Sequence, residues 1–389
     1  MKLTVLLKIS LIMTLIVIAL GAYTRLADAG LGCPDWPGCY GQLTVPNSQL
    51  DIELANARFP ERAVEQSKAW LEMVHRYFAG TLGLLVFAIS WLGIKVHGKQ
   101  LGKILPVSLS LVIVFQAALG MWTVTLKLMP IIVMAHLLGG FTLFSLLFLT
   151  LLRLRPQPTY YRPVPRFPNI RPNSLQQFKP TLIRGCNMAV NTRVASKRLK
   201  AISLLVLVMT VVQIMLGGWT SSNYAAVVCS TLPICEGNWP AYLNFSEAFN
   251  PIQRGFDNYE FGVLDYSARM TIHVTHRVGA MLVTVAGLIL IMALFKHPNQ
   301  RVRRLGRNLF VMLSLQIALG ISNVVFHLPL LIAVLHNLGG ALLLLVLIHI
   351  NYRLARARYT LMNKPVLTIV SDDHELSPIA LPDNKESFV

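Results

Sequence analysis

The chain has 389 residues, of which 54% are hydrophobic and 13% are charged, and its formal net charge is +18. An ordinary soluble domain carries about 25% charged residues. This composition, with a mean hydropathy of +0.57, therefore excludes a soluble globular class for most of the chain. A nucleic-acid-binding class is also excluded, because its positive charge would have to lie on a folded soluble surface. The sequence predicts a protein that crosses a lipid bilayer several times.

Apolar runs of about 20 residues recur along the chain, and each is long enough as a helix to cross a hydrocarbon core of roughly 30 Å. The alternation typical of a membrane β-barrel is missing, so the predicted fold class is all-α and polytopic. The first run has a cleaved signal peptide as its alternative interpretation, but the repeat described below indicates that it is retained. The eight predicted spans cover residues 3–22, 72–94, 104–124, 131–152, 200–220, 269–294, 308–327 and 330–351.

Lysine and arginine are concentrated in alternate connecting segments. If the N-terminus is cytoplasmic, the segments on that side hold 26 of the 35 basic residues. Because basic residues are retained on the cytoplasmic side, we expect both termini in the cytoplasm and the two long loops, 23–71 and 221–268, outside. The positive charge then matches the anionic inner surface of the bilayer, and no nucleic-acid partner is predicted.

Short motifs of the first half recur in the second half at offsets of 196 to 201 residues, which is the pattern of an internal repeat. We expect two tandem pseudo-symmetric four-helix bundles, residues 1–152 and 199–352. A basic, proline-rich cytoplasmic linker, 153–198, separates them, and a polar cytoplasmic tail, 353–389, follows. The repeated pairs are Cys33-x5-Cys39 and Cys229-x5-Cys235, Leu20-Gly21 and Leu216-Gly217, His75-Arg76 and His276-Arg277, Gln116-x2-Leu119-Gly120 and Gln316-x2-Leu319-Gly320, and His136-x2-Gly139-Gly140 and His336-x2-Gly339-Gly340.

Four of the repeated residues are histidines at similar depth in the predicted spans. His75 and His136 lie a few residues inside the outer ends of their spans, and so do His276 and His336. Two imidazoles that face each other from two helices can bind the two sides of one haem iron. The sequence therefore predicts one bis-histidine haem site in each half.

Residues next to these histidines fit the same prediction. Gly139-Gly140 and Gly339-Gly340 follow a histidine by one turn and would leave room for a flat macrocycle, although paired glycines can also serve helix packing alone. Arg76 and Arg277 adjoin histidines near the outer interface and can pair with haem propionates. The alternative is that each arginine is an interfacial anchor.

Four of the five cysteines lie in the two predicted outer loops. An oxidising compartment permits disulfides there, and the prolines and glycine between the cysteines favour turns that close each pair. We therefore expect the disulfides Cys33–Cys39 and Cys229–Cys235. A metal site at these cysteines is not predicted, because no further ligands follow at metal spacing.

The two halves differ three residues before the first histidine of each pair. Glu72 precedes His75 and lies on the same helix face, whereas His273 occupies that position before His276. A buried carboxyl group next to a haem ligand is suited to proton transfer. An interfacial carboxylate paired with Arg76 is an equally good interpretation. The difference predicts that one haem site reacts while the other passes electrons.

Together these motifs resemble those of the haem A synthases, and the resemblance covers essentially all eight predicted helices. Each motif is weak alone, and their combination is specific. The roughly 45-residue basic linker and the long loop 221–268 depart from shorter family members. The resemblance rests on Thr24-Arg25-Leu26, Gly30-Leu31, Pro34-Asp35-Trp36-Pro37, Glu72-x2-His75-Arg76, His136-x2-Gly139-Gly140, His276-Arg277 and His336-Asn337-x-Gly339-Gly340.

The resemblance implies oxidation of a methyl group of haem O to a formyl group through a hydroxymethyl intermediate, which gives haem A for terminal oxidases. It implies that His75 and His136 flank the iron of the substrate haem O, and that His276 and His336 ligate a haem b cofactor. Glu72 is then the catalytic carboxylate, and the first disulfide affects activity. The implied partners are a haem O synthase that delivers the substrate and an unidentified electron acceptor.

Two other classes stay open on the residues alone. A dihaem b-type electron-transfer cytochrome has the same histidine pairs, although two sites near the outer face would not carry electrons across the bilayer. A haem carrier or exporter would use the loop 221–268 for docking. Because no mitochondrial transit segment is evident, we expect a multi-pass protein of a bacterial inner membrane, with the cysteine-bearing loops on the periplasmic side.

Overall fold

The computed structural model describes residues 3–154 and 197–356, and also the backbone of five short strands. The predicted linker, 153–198, and the predicted tail, 353–389, lie mostly outside the described residues. Among the described residues, eight helices are long and apolar enough to cross a membrane, as the sequence predicted. They are α1 Leu3–Leu26, α3 Gln66–Lys95, α5 Ile104–Thr125, α6 Pro130–Leu154, α7 Lys197–Ser222, α9 Tyr266–Phe295, α10 Gln300–Val325 and α11 Leu330–Arg356.

Shorter elements connect these helices. The two long loops, predicted to be the outer ones, contain α2 Gln49–Arg58, a 3-10 helix at Trp239–Tyr242 and α8 Phe245–Ala248, and α4 Gly98–Leu101 precedes α5. The strands form a separate small unit, in which β4 pairs with β1 in parallel and with β3 antiparallel, while β2 pairs with β5 antiparallel. The strands are β1 Tyr160–Arg162, β2 Pro180–Thr181, β3 Thr192–Arg193, β4 Arg358–Leu361 and β5 Thr368–Ile369.

Several membrane helices extend past the apolar runs that predict them. The helix α10 begins eight residues earlier than the predicted span 308–327, because Asn299 caps it by accepting a hydrogen bond from the backbone N–H of Arg301. The helix α9 begins after Asp265, whose carboxylate accepts from the N–H of Ala268 at 2.7 Å. A cap satisfies a backbone donor that the helix itself leaves free, so polar residues can start a helix before its apolar part.

The helices of the first half enclose a common interior. The helices α1 and α5 each pack against both α3 and α6. One end of this interior is filled by buried aliphatic side chains, including Leu7, Val86, Leu109 and Leu147. His75 lies level with Gly21 near the other end of α1. The predicted functional residues therefore lie at the end of the bundle that carries the long loops.

The second half has the same order of neighbours. The helix α9 packs against α7 and α10. Hydrogen bonds join α10 to α11, where the Gln316 amide donates to the carbonyl of His336 at 3.0 Å, and α11 to α7, where the Asn351 amide donates to the carbonyl of Ser203 at 3.1 Å. The two halves also contact each other directly, through α6 and α7.

Some contacts between the halves join residues at equivalent positions of the repeat. The Arg25 guanidinium donates to the carbonyl of Ser221, 196 residues further on, at 2.9 Å. The Tyr224 hydroxyl donates to Asp28, also 196 residues away. Burial raises the pKa of this hydroxyl, which favours its protonated, donating form. At the other end of the helices, the hydroxyl of Tyr352 donates to a carbonyl 200 residues earlier, at 3.1 Å.

A bidentate ion pair joins the long loops of the two halves. Arg62 donates to both carboxylate oxygens of Glu260, at 2.8 and 3.2 Å, and the Glu260 side chain is only 5% exposed. The hydrogen bond to Glu260 raises the pKa of Arg62. The pair is therefore more protected from solvent than a typical surface ion pair.

We expect Arg62→Ala to lower the free energy of unfolding by about 1–3 kcal/mol, because Glu260 would stay buried without its charged partner. The measurement is thermal or denaturant unfolding in detergent. Lys127→Ala is the matched control, since Lys127 pairs at 3.6 Å with Glu61, whose side chain is 86% exposed. An equal loss of stability in both variants would contradict the prediction.

Candidate functional site

The structure brings together both predicted pairs of histidines. His75 on α3 and His136 on α6 are close enough to interact electrostatically, and so are His276 on α9 and His336 on α11. Each pair consists of two imidazoles from two helices that enclose one interior. Two nitrogen donors from two helices around one interior are the donor set of a bis-histidine metal site.

Each imidazole lies against a glycine of the neighbouring helix. A Cβ atom added at Gly21 would lie 2.9 Å from the Cε1 atom of His75, and one added at Gly120 would lie 3.3 Å from that of His136. At Gly217 and Gly320 the corresponding distance is 3.1 Å, to the rings of His276 and His336 respectively. Any side chain at these positions would displace a ring. These glycines belong to the repeated motifs, but nothing in the repeated pattern indicates which residues they contact.

The ring nitrogens of these histidines are incompletely satisfied within the described part of the chain. The Nδ1 atoms of His75, His136 and His336 are buried and have no hydrogen-bond partner there. A buried polar atom without a partner is costly, so rings of this kind fit a role as metal ligands. Neutral imidazole pairs are a donor set that haem iron accepts. The residues present therefore fit a haem in each half.

Two glutamines hold the backbone of a histidine residue. The Nε2 amide of Gln116 donates to the carbonyl of His136 at 2.6 Å, and Gln316 makes the same bond to His336. The space at Gly139 and at Gly339 is filled by the side-chain oxygens of these glutamines.

The expectation that the paired glycines leave room for a macrocycle is therefore corrected. A Cβ at Gly140 or Gly340 would likewise have a glutamine amide as its nearest neighbour, at 3.4 and 3.6 Å. The repeated Gln-x2-Leu-Gly motif marks these glutamines in the sequence. Their contact with the paired glycines is visible only in the fold, where α5 packs against α6 and α10 lies beside α11.

A third glutamine contacts His276 in the second half. The Nε2 amide of Gln213 on α7 donates to the carbonyl of His276 at 2.8 Å and lies 3.0 Å from its Nδ1 atom. The side-chain oxygen of Gln213 fills the space at Gly279. Sequence reasoning assigned no role to Gln213, since its counterpart in the first half is a different residue.

Glu72 is buried at the outer end of the first histidine pair, with a side chain that is 7% exposed. Its Oε1 atom accepts a hydrogen bond from Arg76 at 2.5 Å, and its Oε2 atom accepts one from the backbone N–H of Cys33 at 3.0 Å. The carboxylate therefore has both features that the sequence left as alternatives, an arginine partner and burial one helical turn from His75. These donors fix its position between α3 and the first cysteine loop.

Arg76 and Arg277 bind carbonyls of the two cysteine loops. Arg76 donates to the carbonyls of Asp35 at 3.0 Å and Gly38. Arg277 donates to the carbonyls of Thr231 and Ile234, which stand at the equivalent positions of the repeat. Both arginines thus fasten a loop to the end of a membrane helix, and propionate pairing stays a prediction.

The cysteine loops are closed as the sequence predicted. Disulfides join Cys33 to Cys39 and Cys229 to Cys235, with Cα atoms 4.9 and 5.0 Å apart. Cys33 of the first disulfide is also the residue whose backbone N–H donates to Glu72. In the second half the equivalent of Glu72 is His273, which accepts from Arg277 at 3.1 Å.

These features define a class of polytopic membrane proteins with two paired-histidine sites, one of them next to a buried carboxylate. The family model described as cytochrome oxidase assembly protein, COX15-CtaA, matches residues 4–348. The chain belongs to this family, and the resemblance predicted from the motifs is confirmed.

Curated relatives are similar over most of their length. A protein named "Heme A synthase" from Shewanella oneidensis is 51% identical over 352 residues, which cover 90% of this chain and 96% of that protein. Proteins of the same name from Neorickettsia sennetsu and Mesorhizobium japonicum are each 23% identical, covering 87% and 93% of this chain and 94% and 92% of their own lengths.

Proposed function

We propose that this protein is a haem A synthase, an enzyme that oxidises haem O to haem A for terminal oxidases. The observation that carries the proposal is the asymmetry between the halves, in which a buried carboxylate, Glu72, lies one turn from His75 while the second half has His273 instead. The relative from Shewanella oneidensis, at 51% identity, supports the same activity. A methyl group becomes a formyl group through a hydroxymethyl intermediate.

The architecture that we propose is two tandem pseudo-symmetric four-helix bundles, 1–152 and 199–352. Contacts between residues 196 and 200 positions apart support a pseudo-twofold relation of the halves. The distribution of basic residues supports cytoplasmic termini, a cytoplasmic linker and cysteine loops on the periplasmic side of a bacterial inner membrane. The repeated loop carbonyls bound by Arg76 and Arg277 support equivalent outer ends.

In the first half, His75 and His136 hold the substrate haem O. With water supplying the oxygen atom of the hydroxymethyl group, each of the two oxidations releases two protons and two electrons, and Glu72 is the group positioned to accept a proton. Its oxygens accept hydrogen bonds from Arg76 and from the N–H of Cys33, and a carboxylate has about four lone-pair sites in all, which leaves room for a further proton. The loop and α3 together hold this acceptor beside the ligand histidine and exclude bulk water.

In the second half, His276 and His336 hold a haem b cofactor, which supplies one-electron transfer when bound. His273 is engaged by Arg277, so this half has no carboxylate at the position of Glu72. Its task is therefore electron transfer toward an unidentified acceptor. If Arg76 and Arg277 also pair with haem propionates, they share their donors with the loop carbonyls. A haem O synthase is the partner that would supply the substrate.

Extraction of pigments from the purified protein, produced together with a haem O synthase, tests this proposal. A synthase should yield haem O, its hydroxymethyl form and haem A beside haem b, as separated by chromatography. A dihaem cytochrome or a haem carrier would yield haem b alone, and that result would overturn the proposal. Membranes from cells without this protein provide the control for pigments of other origin.

A further inference from the structure

The four histidines are not held equally. A glutamine amide donates to the carbonyl of His136, of His276 and of His336, at 2.6, 2.8 and 3.0 Å. Among the described residues, no glutamine makes this bond to His75. Each of these bonds holds the main chain at a histidine, and Gln213 also lies 3.0 Å from the Nδ1 atom of the His276 ring, where a partner orients a metal ligand. Among the described residues, the main chain at His75 is therefore the only one of the four without this bond, while the Nδ1 atoms of His75, His136 and His336 are alike in having no partner.

Two positions of the repeat account for the difference. The counterpart of Gln213 in the first half is Val17, and the counterpart of Gly279 is Phe78. The Gln213 side chain needs the glycine, because its oxygen occupies the place where a Cβ atom of residue 279 would be. Valine offers no amide, and phenylalanine leaves no space for one. Both substitutions remove the same glutamine tether from the first half.

The helix α3 is also weaker just after His75. Gly80 lies five residues further on, and a Cβ atom added there would have no neighbouring atom within 4 Å. Packing therefore does not require this glycine, and a glycine inside a helix lowers helix stability. The repeat has Met281 at this position. The second half thus has a better helix former where the first half has Gly80.

What holds this turn of α3 instead is the first cysteine loop. Glu72 accepts from the N–H of Cys33, and Arg76 donates to carbonyls of the same loop. His75 is therefore positioned by a surface loop, whereas His136 is tethered to the adjacent helix α5. A loop can move away from a helix end with less disruption than a packed membrane helix.

We propose that His75 is the exchangeable ligand of the substrate site, and that the absence of a glutamine tether makes it so. This inference rests on the proposed function, since a substrate haem must enter and leave while a cofactor stays. His136 would remain bound to the iron, and the imidazole of His75 would dissociate from it. Only the bond between iron and the His75 nitrogen breaks, the nitrogen keeps its electron pair, and no electron is transferred.

Installing the missing tether tests the proposal. In the variant Val17→Gln with Phe78→Gly, the rate at which the reduced substrate haem binds carbon monoxide should fall by about tenfold or more, which is the lower end of the effect that outer-shell partners have on metal affinity. The purified variant should also retain a larger fraction of haem A. Val17→Leu with Phe78→Gly is the matched control, which has the space without the amide and should not slow the binding. Equal rates in the two variants would overturn the proposal.

The reciprocal variant tests the effect of the glutamine tether if the double variant does not fold. Gln213→Val removes the tether from His276 and should make the haem b site bind carbon monoxide at least about tenfold faster, with the substrate site unchanged. An unchanged haem b site would overturn the tether argument. Failure of the proposed function has a different signature, because a wild-type protein without the low-spin spectrum of bis-histidine haem would refute that function whatever the variants do.

Discussion

Replacing Glu72 with glutamine should lower the rate of haem O oxidation by about 10²–10⁴-fold, the usual contribution of a positioned proton acceptor. Glutamine has nearly the same shape but cannot take up a proton at neutral pH. It can accept from only one of the two present donors, Arg76 and the N–H of Cys33, so the loop should stay closed with modest loss. The measurement is the ratio of haem A to haem O formed per bound haem.

Glu65→Gln is the matched control for this variant. Glu65 lies just before α3, seven residues from Glu72, and its side chain is 52% exposed and paired with Lys68. We expect its product ratio to equal that of the wild type. Wild-type product formation in Glu72→Gln, with both haems bound and the loops intact, would remove the carboxylate from the mechanism.

Substitutions of the histidines should separate the two haems. His136→Ala should reduce the content of haem O and haem A to less than about a tenth while haem b stays, and His336→Ala should do the reverse. The reason is that loss of a ligand should exceed the 10–100-fold effect typical of lost second-shell support. The measurement is each pigment per mole of purified protein.

His97→Ala is the control for both histidine variants, because His97 directly precedes α4, away from the long loops, and contributes to neither histidine pair. Both pigments should stay at the wild-type level. The assignment of one haem to each half would be wrong if His136→Ala and His336→Ala lost the same pigment in the same proportion.

The membrane helices were predictable because their signal is their length in apolar residues, which the bilayer fixes. The first and last residues of these helices were less predictable. The first residues of α10 include four arginines between Arg301 and Arg307, and hydropathy cannot tell a polar helix start from a loop. The helix begins here because the Asn299 side chain caps its first turn. The helices α2 and α8 were missed for the same reason, since both lie in polar outer loops.

The site was predictable as far as the repeat identified its residues. A repeated histidine has few chemical roles inside a membrane, so the pairs followed from spacing and depth. A repeated glutamine or glycine has many possible roles, so the motif around Gln116 identified a repeated residue but not the residues that it contacts. The arginines illustrate the same limit, because a guanidinium can donate to propionates and to carbonyls alike. Only the folding of the cysteine loop over the end of α3 brings the carbonyls of Asp35 and Gly38 to Arg76.

The contacts between equivalent positions bear on why the halves share one chain. In a dimer of identical subunits, a residue on the symmetry axis meets its own copy, so Arg25 would face a second arginine. Here the Arg25 guanidinium lies 4.0 Å from the centre of the Tyr224 ring, which attracts a cation. The contact at this position therefore joins Arg25 to residues of the other half and does not bring two arginines together. Covalent fusion allows this heterotypic contact, and under the proposed function it keeps the substrate half and the haem b half in a one-to-one ratio.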